Sequence, residues 1–169
     1  SRPETVHAAK KGAVYEEYEL KTNKKPILEG IAVGEKIGTG KVKIIENVSK
    51  IADFKQGEVL VTKMTDPDWV PIMRIASAIV TDEGGRTCHA AIVSRELGVP
   101  AIVGTKTGTK ILKKNQLVTV DCASGIKGKI FSGKVPFEIK KHNLKEIPKI
   151  RTKITMNIGD PPTALKASF

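Results

Sequence analysis

The stretch Thr81–Gly104, TDEGGRTCHAAIVSRELGVPAIVG, constrains the fold more than any other part of the chain. The run Ala78–Thr81 has the short apolar character of a buried strand and leads into an acidic pair and a double glycine. From Cys88 to Leu97 the period lengthens, with Ala90, Val93 and Leu97 on one face, so the spacing predicts a short amphipathic helix with Thr87 as its N-cap. Gly98 is placed as the C-cap, and Pro100 stops the helix before a further strand to Val103. A strand, a glycine turn, a helix and a second strand in immediate succession predict a mixed α/β domain.

That arrangement puts His89 in the first turn of a helix, directly after a glycine turn. Free backbone N–H groups and the positive helix end lie beside such a ring, a setting that suits a bound anion. Imidazole is largely neutral near pH 7 and offers one nitrogen lone pair for attack. Attack on phosphorus would leave a phosphoryl group beside the helix amides and the guanidinium of Arg86. Gly84 and Gly85 would admit a donor phosphate closely, with Thr87 and Cys88 completing the turn. A cysteine–histidine nucleophile pair at Cys88 and His89 is disfavoured, because neighbouring helix residues point about 100° apart.

The remaining chain supplies short strands. Gly30, Gly34, Gly38 and Gly40 punctuate ILEGIAVGEKIGTGKVKIIEN, and Lys41–Ile44 alternates polar and apolar residues as a half-exposed strand does. GTGKVKI lacks the spacing of a phosphate-binding glycine loop, so its glycines are read as strand and turn residues. Gly57–Thr62 predicts a strand, and MTDPDW a helix start with Thr65 or Asp66 as cap and Pro67 in the first position. Asp68 and Trp69 are assigned to capping and core packing. Gln116–Asp121 and Gly125–Ser132 predict two more strands.

Ser1–Pro26 and Val135–Lys149 carry charge and proline without a core pattern and read as linkers, with His7 and His142 solvated. No apolar run approaches the ~18 residues of a membrane span, and no secretory leader pattern opens the sequence. Two distant cysteines, Cys88 and Cys122, argue against a disulfide framework or a zinc site and for a cytoplasmic home. The net charge of +11 raises nucleic-acid binding as an alternative, but the lysines are dispersed and aromatics make up only 4% of the chain.

GGRTCHAAIVSRELGVPAIVG closely resembles the phosphohistidine segment of the phosphoenolpyruvate-utilising enzymes. The resemblance extends over nearly the whole chain, through RPETV at the start, TDPDW in the middle and TKITMN near the end. It is to the phosphoenolpyruvate synthase (pyruvate, water dikinase) branch: Arg86 and Cys88 stand where the phosphate-dependent dikinases usually have methionine and serine. The resemblance implies a swivelling β/β/α phosphohistidine domain over residues 27–134, with a few short helices. Residues 1–26 would be the end of an ATP-binding domain and a linker, and residues 135–169 a second linker and the truncated start of a pyruvate-binding barrel.

It further implies that His89 carries the phosphoryl group, that Arg2 is a weak ATP contact, and that Thr87 is a site of regulatory phosphorylation by a kinase/phosphorylase. ATP, pyruvate and Mg2+ would belong to the whole enzyme, with no metal held by these residues. The partners would be the ATP-binding domain and the barrel, with neither nucleic acid nor membrane. A phosphocarrier from another branch, such as a sugar phosphotransferase enzyme I, remains the alternative within the family.

Overall fold

The computed structural model describes the backbone of residues 14–143 and the side chains of residues 16–141. Arg2, His7 and the segment that resembles a barrel start lie outside the described residues. Glu16–Lys141 forms one compact unit.

Its centre is a closed barrel of seven strands: β2 (Leu28–Val33), β3 (Ile37–Ile44), β4 (Val59–Thr62), β5 (Ala78–Thr81), β6 (Ala101–Val103), β7 (Leu117–Asp121) and β8 (Lys127–Ser132). Around the barrel the order is β2-β6-β5-β4-β3-β7-β8, closed by the β2–β8 pairing. The strands β3, β4, β5 and β6 run parallel, and the remaining pairings are antiparallel. The strand runs expected from the sequence are present, and their pairing closes into a barrel. Closure removes every edge from this sheet.

The central strands β4, β5 and β6 are buried along their whole length, which is why VLVT, AIVT and AIV are continuous apolar runs. Their side chains still alternate in destination. Val59, Val61, Ala78, Val80 and Ile102 meet Leu28, Val42, Val118, Val120 and Ile130 from the other strands and fill the barrel. Leu60, Ile79, Ala101 and Val103 face outward and pack with residues of the helical layer, among them Trp69, Ile72, Met73, Ala90, Ala91 and Val93. Two cores therefore share one set of strands.

A barrel of this size brings backbones close together, and Gly40 on β3 shows how close. A Cβ at that position would sit 2.3 Å from the carbonyl oxygen of Gly57. The glycines of GTGKVKI are thus strand residues, as their spacing predicts.

The helical layer contains two 3-10 turns, Val48–Asp53 and Pro67–Trp69, and three helices: α1 (Val70–Ile75), α2 (His89–Leu97) and α3 (Gly108–Ile111). Asp66 caps the Pro67 turn, accepting the Asp68 amide at 3.0 Å. Gly98 ends α2 at φ 68°, and the Lys36 ammonium donates to its carbonyl.

Two stretches read as linkers contain strands. β1 (Val14–Leu20) and β9 (Phe137–Asn143) pair as a separate two-stranded ribbon. Lys21 contacts Glu138, Glu19 contacts Lys140 and Glu16 contacts Lys141, an order that makes the ribbon antiparallel. The rings of Tyr18 and Phe137 lie 5.9 Å apart. Neither stretch has a pattern for the barrel core, because each is partnered by the other.

Candidate functional site

The carboxyl ends of the parallel strands converge on the loop from Asp82 to Cys88. Its first residues prolong the barrel pairing: the Asp82 amide donates to the Thr62 carbonyl at 3.1 Å and the Glu83 amide to the Lys63 carbonyl at 2.9 Å. Glu83 also pairs with the Lys63 ammonium at 3.2 Å. The carboxylate of Asp82 accepts the Thr109 amide at 3.0 Å and the Thr105 and Thr109 hydroxyls, so both its oxygens are occupied. These contacts tie the start of the loop to the N-terminus of α3.

Gly84 then turns the chain at φ 109°, with a hypothetical Cβ only 2.7 Å from Cys88 Sγ. A larger residue is excluded on both counts. Gly85 faces open space, and Arg86 and Thr87 are exposed. The Arg86 guanidinium forms no ion pair among the described residues, while its backbone carbonyl accepts a bond from Arg95 Nη1 at 2.8 Å.

His89 is the first residue of α2, as expected, but the N-cap is Cys88 rather than Thr87. The Cys88 amide is already used in a turn to Gly85, and the helix ladder starts with Ile92 donating to the Cys88 carbonyl. Thr87 is part of that preceding turn, one position too early to cap. Cys88 makes no side-chain cap bond. The amides of His89, Ala90 and Ala91 consequently have no acceptor among the described residues.

The imidazole is half-buried and held from one side. Its Nδ1 lies 2.9 Å from the hydroxyl oxygen of Thr65. Thr65 is itself buried, at 7% exposure, on the turn that follows β4. Asp66 fixes that turn with both carboxylate oxygens, one on the Asp68 amide and the other on Trp69 Nε1. Trp69 belongs to the core, and Asp68 takes part through its backbone. Nε2 is left as the ring nitrogen without a partner among the described residues.

Sequence reasoning gave Thr65 only a possible capping role. The available signal was that Thr65 and Asp66 cannot both cap one turn, so a buried hydroxyl had to find another partner. That the partner is His89, on a different strand-end loop, follows from β4 and β5 being neighbours.

A cleft of about 580 Å³ opens beside the start of the loop, lined by Glu46, Lys63, Asp82, Glu83, Lys106, Thr109 and Lys110. His89 is not part of it. The ring is half-buried, neither sealed in the core nor fully exposed. Among the described residues no group of three or more His, Cys, Asp or Glu side chains could hold a metal ion. Nor is any described helix long and apolar enough to cross a membrane.

Residues 54–125 match the family described as "PEP-utilising enzyme, mobile domain". The chain is 49% identical over 171 residues to the phosphoenolpyruvate synthase of Aquifex aeolicus, covering 98% of this chain and 20% of that protein. It is also 49% identical over 164 residues to the phosphoenolpyruvate synthase of Pseudomonas aeruginosa, covering 97% and 21%. A solution structure of an Enzyme I protein aligns with a TM-score of 0.41 at 30% identity, over 49% of this chain and 33% of that one. The chain spans about a fifth of the length of the curated relatives it matches.

Proposed function

We propose that this chain, whose residues 54–125 match the mobile domain of the PEP-utilising enzymes, is the phosphohistidine carrier of a phosphoenolpyruvate synthase, moving a phosphoryl group from ATP to pyruvate through His89. The observation that carries the reading is the Thr65–His89 contact, 2.9 Å from the hydroxyl oxygen to Nδ1; in this reading Nδ1–H donates to that oxygen, which leaves the lone pair on Nε2. Nucleophilic attack then needs no change of tautomer.

In this reading Nε2 attacks the β-phosphorus of ATP. The bond from that phosphorus to the bridging oxygen breaks, and AMP leaves with the electron pair. Water next attacks the outer phosphorus of the bound diphosphoryl group and releases phosphate. The enolate oxygen of pyruvate finally attacks the remaining phosphorus, the N–P bond breaks, and its electrons return to Nε2. Throughout, Thr65 keeps the ring plane and the Nδ1 proton in place. The free amides at the start of α2 and the exposed Arg86 supply donors for the phosphoryl oxygens. Gly85 leaves room for the donor to approach.

Magnesium would serve the nucleotide in such an enzyme, and among the described residues no group of three or more His, Cys, Asp or Glu side chains could hold it. The loop carboxylate of Asp82 is hydrogen-bonded by Thr105 and Thr109. ATP, Mg2+ and pyruvate are accordingly assigned to the other domains of a cytoplasmic enzyme. Residues 27–134 act as the carrier, and the flanking segments join it to those domains, with Arg2 a contact to ATP. Thr87, exposed two residues before His89, is accessible to a regulatory kinase, and a phosphate there would repel an incoming anionic donor.

The complete protein incubated with [β-32P]ATP should form an acid-labile phosphohistidine that pyruvate discharges. His89→Asn should form none while retaining the barrel fold. Labelling that survives this substitution would end the assignment, and salt-sensitive nucleic-acid binding indifferent to His89 would replace it with the basic-module reading.

A further inference from the structure

The loop that carries His89 is fastened by different means at its two ends. Up to Glu83 it is part of the barrel, through the Thr62 and Lys63 carbonyls and through Asp82. Beyond Glu83 come two glycines and then the exposed Arg86 and Thr87. This crest has no apolar anchor of its own. The side-chain hydrogen bond that reaches its backbone, among the described residues, comes from Arg95, whose Nη1 donates to the Arg86 carbonyl at 2.8 Å. Arg95 stands in the last turn of α2, the helix His89 begins, so the bond reaches back from the helix to the loop that enters it.

We propose that Arg95 is a positioning residue for phosphoryl transfer. It fixes the crest so that Arg86 and the free amides of α2 meet the phosphoryl group on Nε2 in one arrangement. The inference rests on the carrier reading. Two adjacent glycines give the crest many conformations, and orienting it during the reaction would cost rate; a standing charge-assisted bond removes that cost beforehand. A guanidinium on the Arg86 carbonyl also polarises the Arg86–Thr87 peptide, which strengthens the Thr87 N–H as a donor toward an anion. A lone hydrogen bond between exposed groups contributes little to stability. Its main effect is therefore on geometry.

The test uses the complete protein with Arg95→Met, which keeps the aliphatic stem and loses the donor, and Arg95→Lys, which keeps a shorter donor. Single-turnover formation of phosphohistidine at saturating ATP should fall by roughly 10-fold or more in Arg95→Met, with KM for ATP within about twofold of wild type. Melting temperature should be nearly unchanged, and Arg95→Lys should recover part of the rate. Wild-type labelling rates in Arg95→Met, or a rate loss that tracks a loss of folded protein, would overturn the role given to Arg95. Absence of label in the wild-type protein would overturn the carrier reading, and this inference with it.

Discussion

Thr65 Oγ1 and His89 Nδ1 lie 2.9 Å apart, joining the turn after β4 to the first residue of α2. One ring nitrogen is thereby committed, and the other has no partner among the described residues. Replacing Thr65 by Val keeps the shape of a buried side chain and removes the hydrogen bond. Phosphohistidine formation should slow by about 10- to 100-fold, because the ring loses both its orientation and its tautomer bias. Stability should fall by about 1 kcal/mol. Single-turnover labelling beside a thermal melt measures both, and an unchanged rate would show that the contact has no part in the chemistry.

Gly40 on β3 lies against the Gly57 carbonyl, just before the neighbouring strand β4, where an added Cβ would stand 2.3 Å from that oxygen. The obstacle is backbone, which cannot swing aside as the end of a side chain can. Gly40→Ala should therefore destabilise the domain by about 1–3 kcal/mol, read as a lower urea midpoint. A midpoint equal to wild type would mean that β3 and the Gly57 turn are further apart than described.

Cys122 is buried beside the Ala101 carbonyl, and burial pushes its thiol up to about 12. At pH 8 it should stay protonated and unreactive in the folded protein. Cys88 is only half-buried. Alkylation followed by mass spectrometry should modify Cys88 first and Cys122 only after unfolding. Equal rates at the two thiols would contradict this packing.

Glu19 and Lys140 approach to 2.6 Å across the ribbon, and each holds the other charged: the carboxyl is lowered and the ammonium raised, first by their hydrogen bond and then by charge attraction. The Glu19 contribution is complete above its unfolded pKa and is lost as pH falls through the folded value. That of Lys140 is complete below its unfolded pKa and is lost as pH rises through the folded value. Both groups are exposed, so the effect is small and sensitive to salt. Amide exchange in the ribbon should speed up in acid, at strongly alkaline pH relative to the intrinsic rate, or at high salt, before the barrel responds. Barrel and ribbon loosening in step would contradict the charge-held pairing.

Much of this could be read from residues alone because it is local. Positive φ at Gly98, the proline after it, and the apolar spacing from Ala90 to Leu97 place the helix and hence His89. Asp66 before Pro67 marks a turn start for the same reason. Thr87 has the side chain of a cap but not the place of one, because a turn closed by the Cys88 amide on the Gly85 carbonyl puts it before the helix and leaves Cys88 at the cap position without a side-chain bond.

What the chain order could not provide was the neighbour of each strand. VLVT, AIVT and AIV are apolar on both faces, so their pattern does not tell a barrel interior from a helix-covered exterior; closure of the sheet sorts Val61 inward and Leu60 outward. The ribbon is likewise invisible within either segment, since Glu19 has no partner until Lys140 is brought alongside. Local sequence thus determined where the reactive imidazole stands on its helix. Only the pairing of β4 with β5 decided that Thr65 would hold it, because a hydrogen bond between distant residues exists only once the backbone has set their separation.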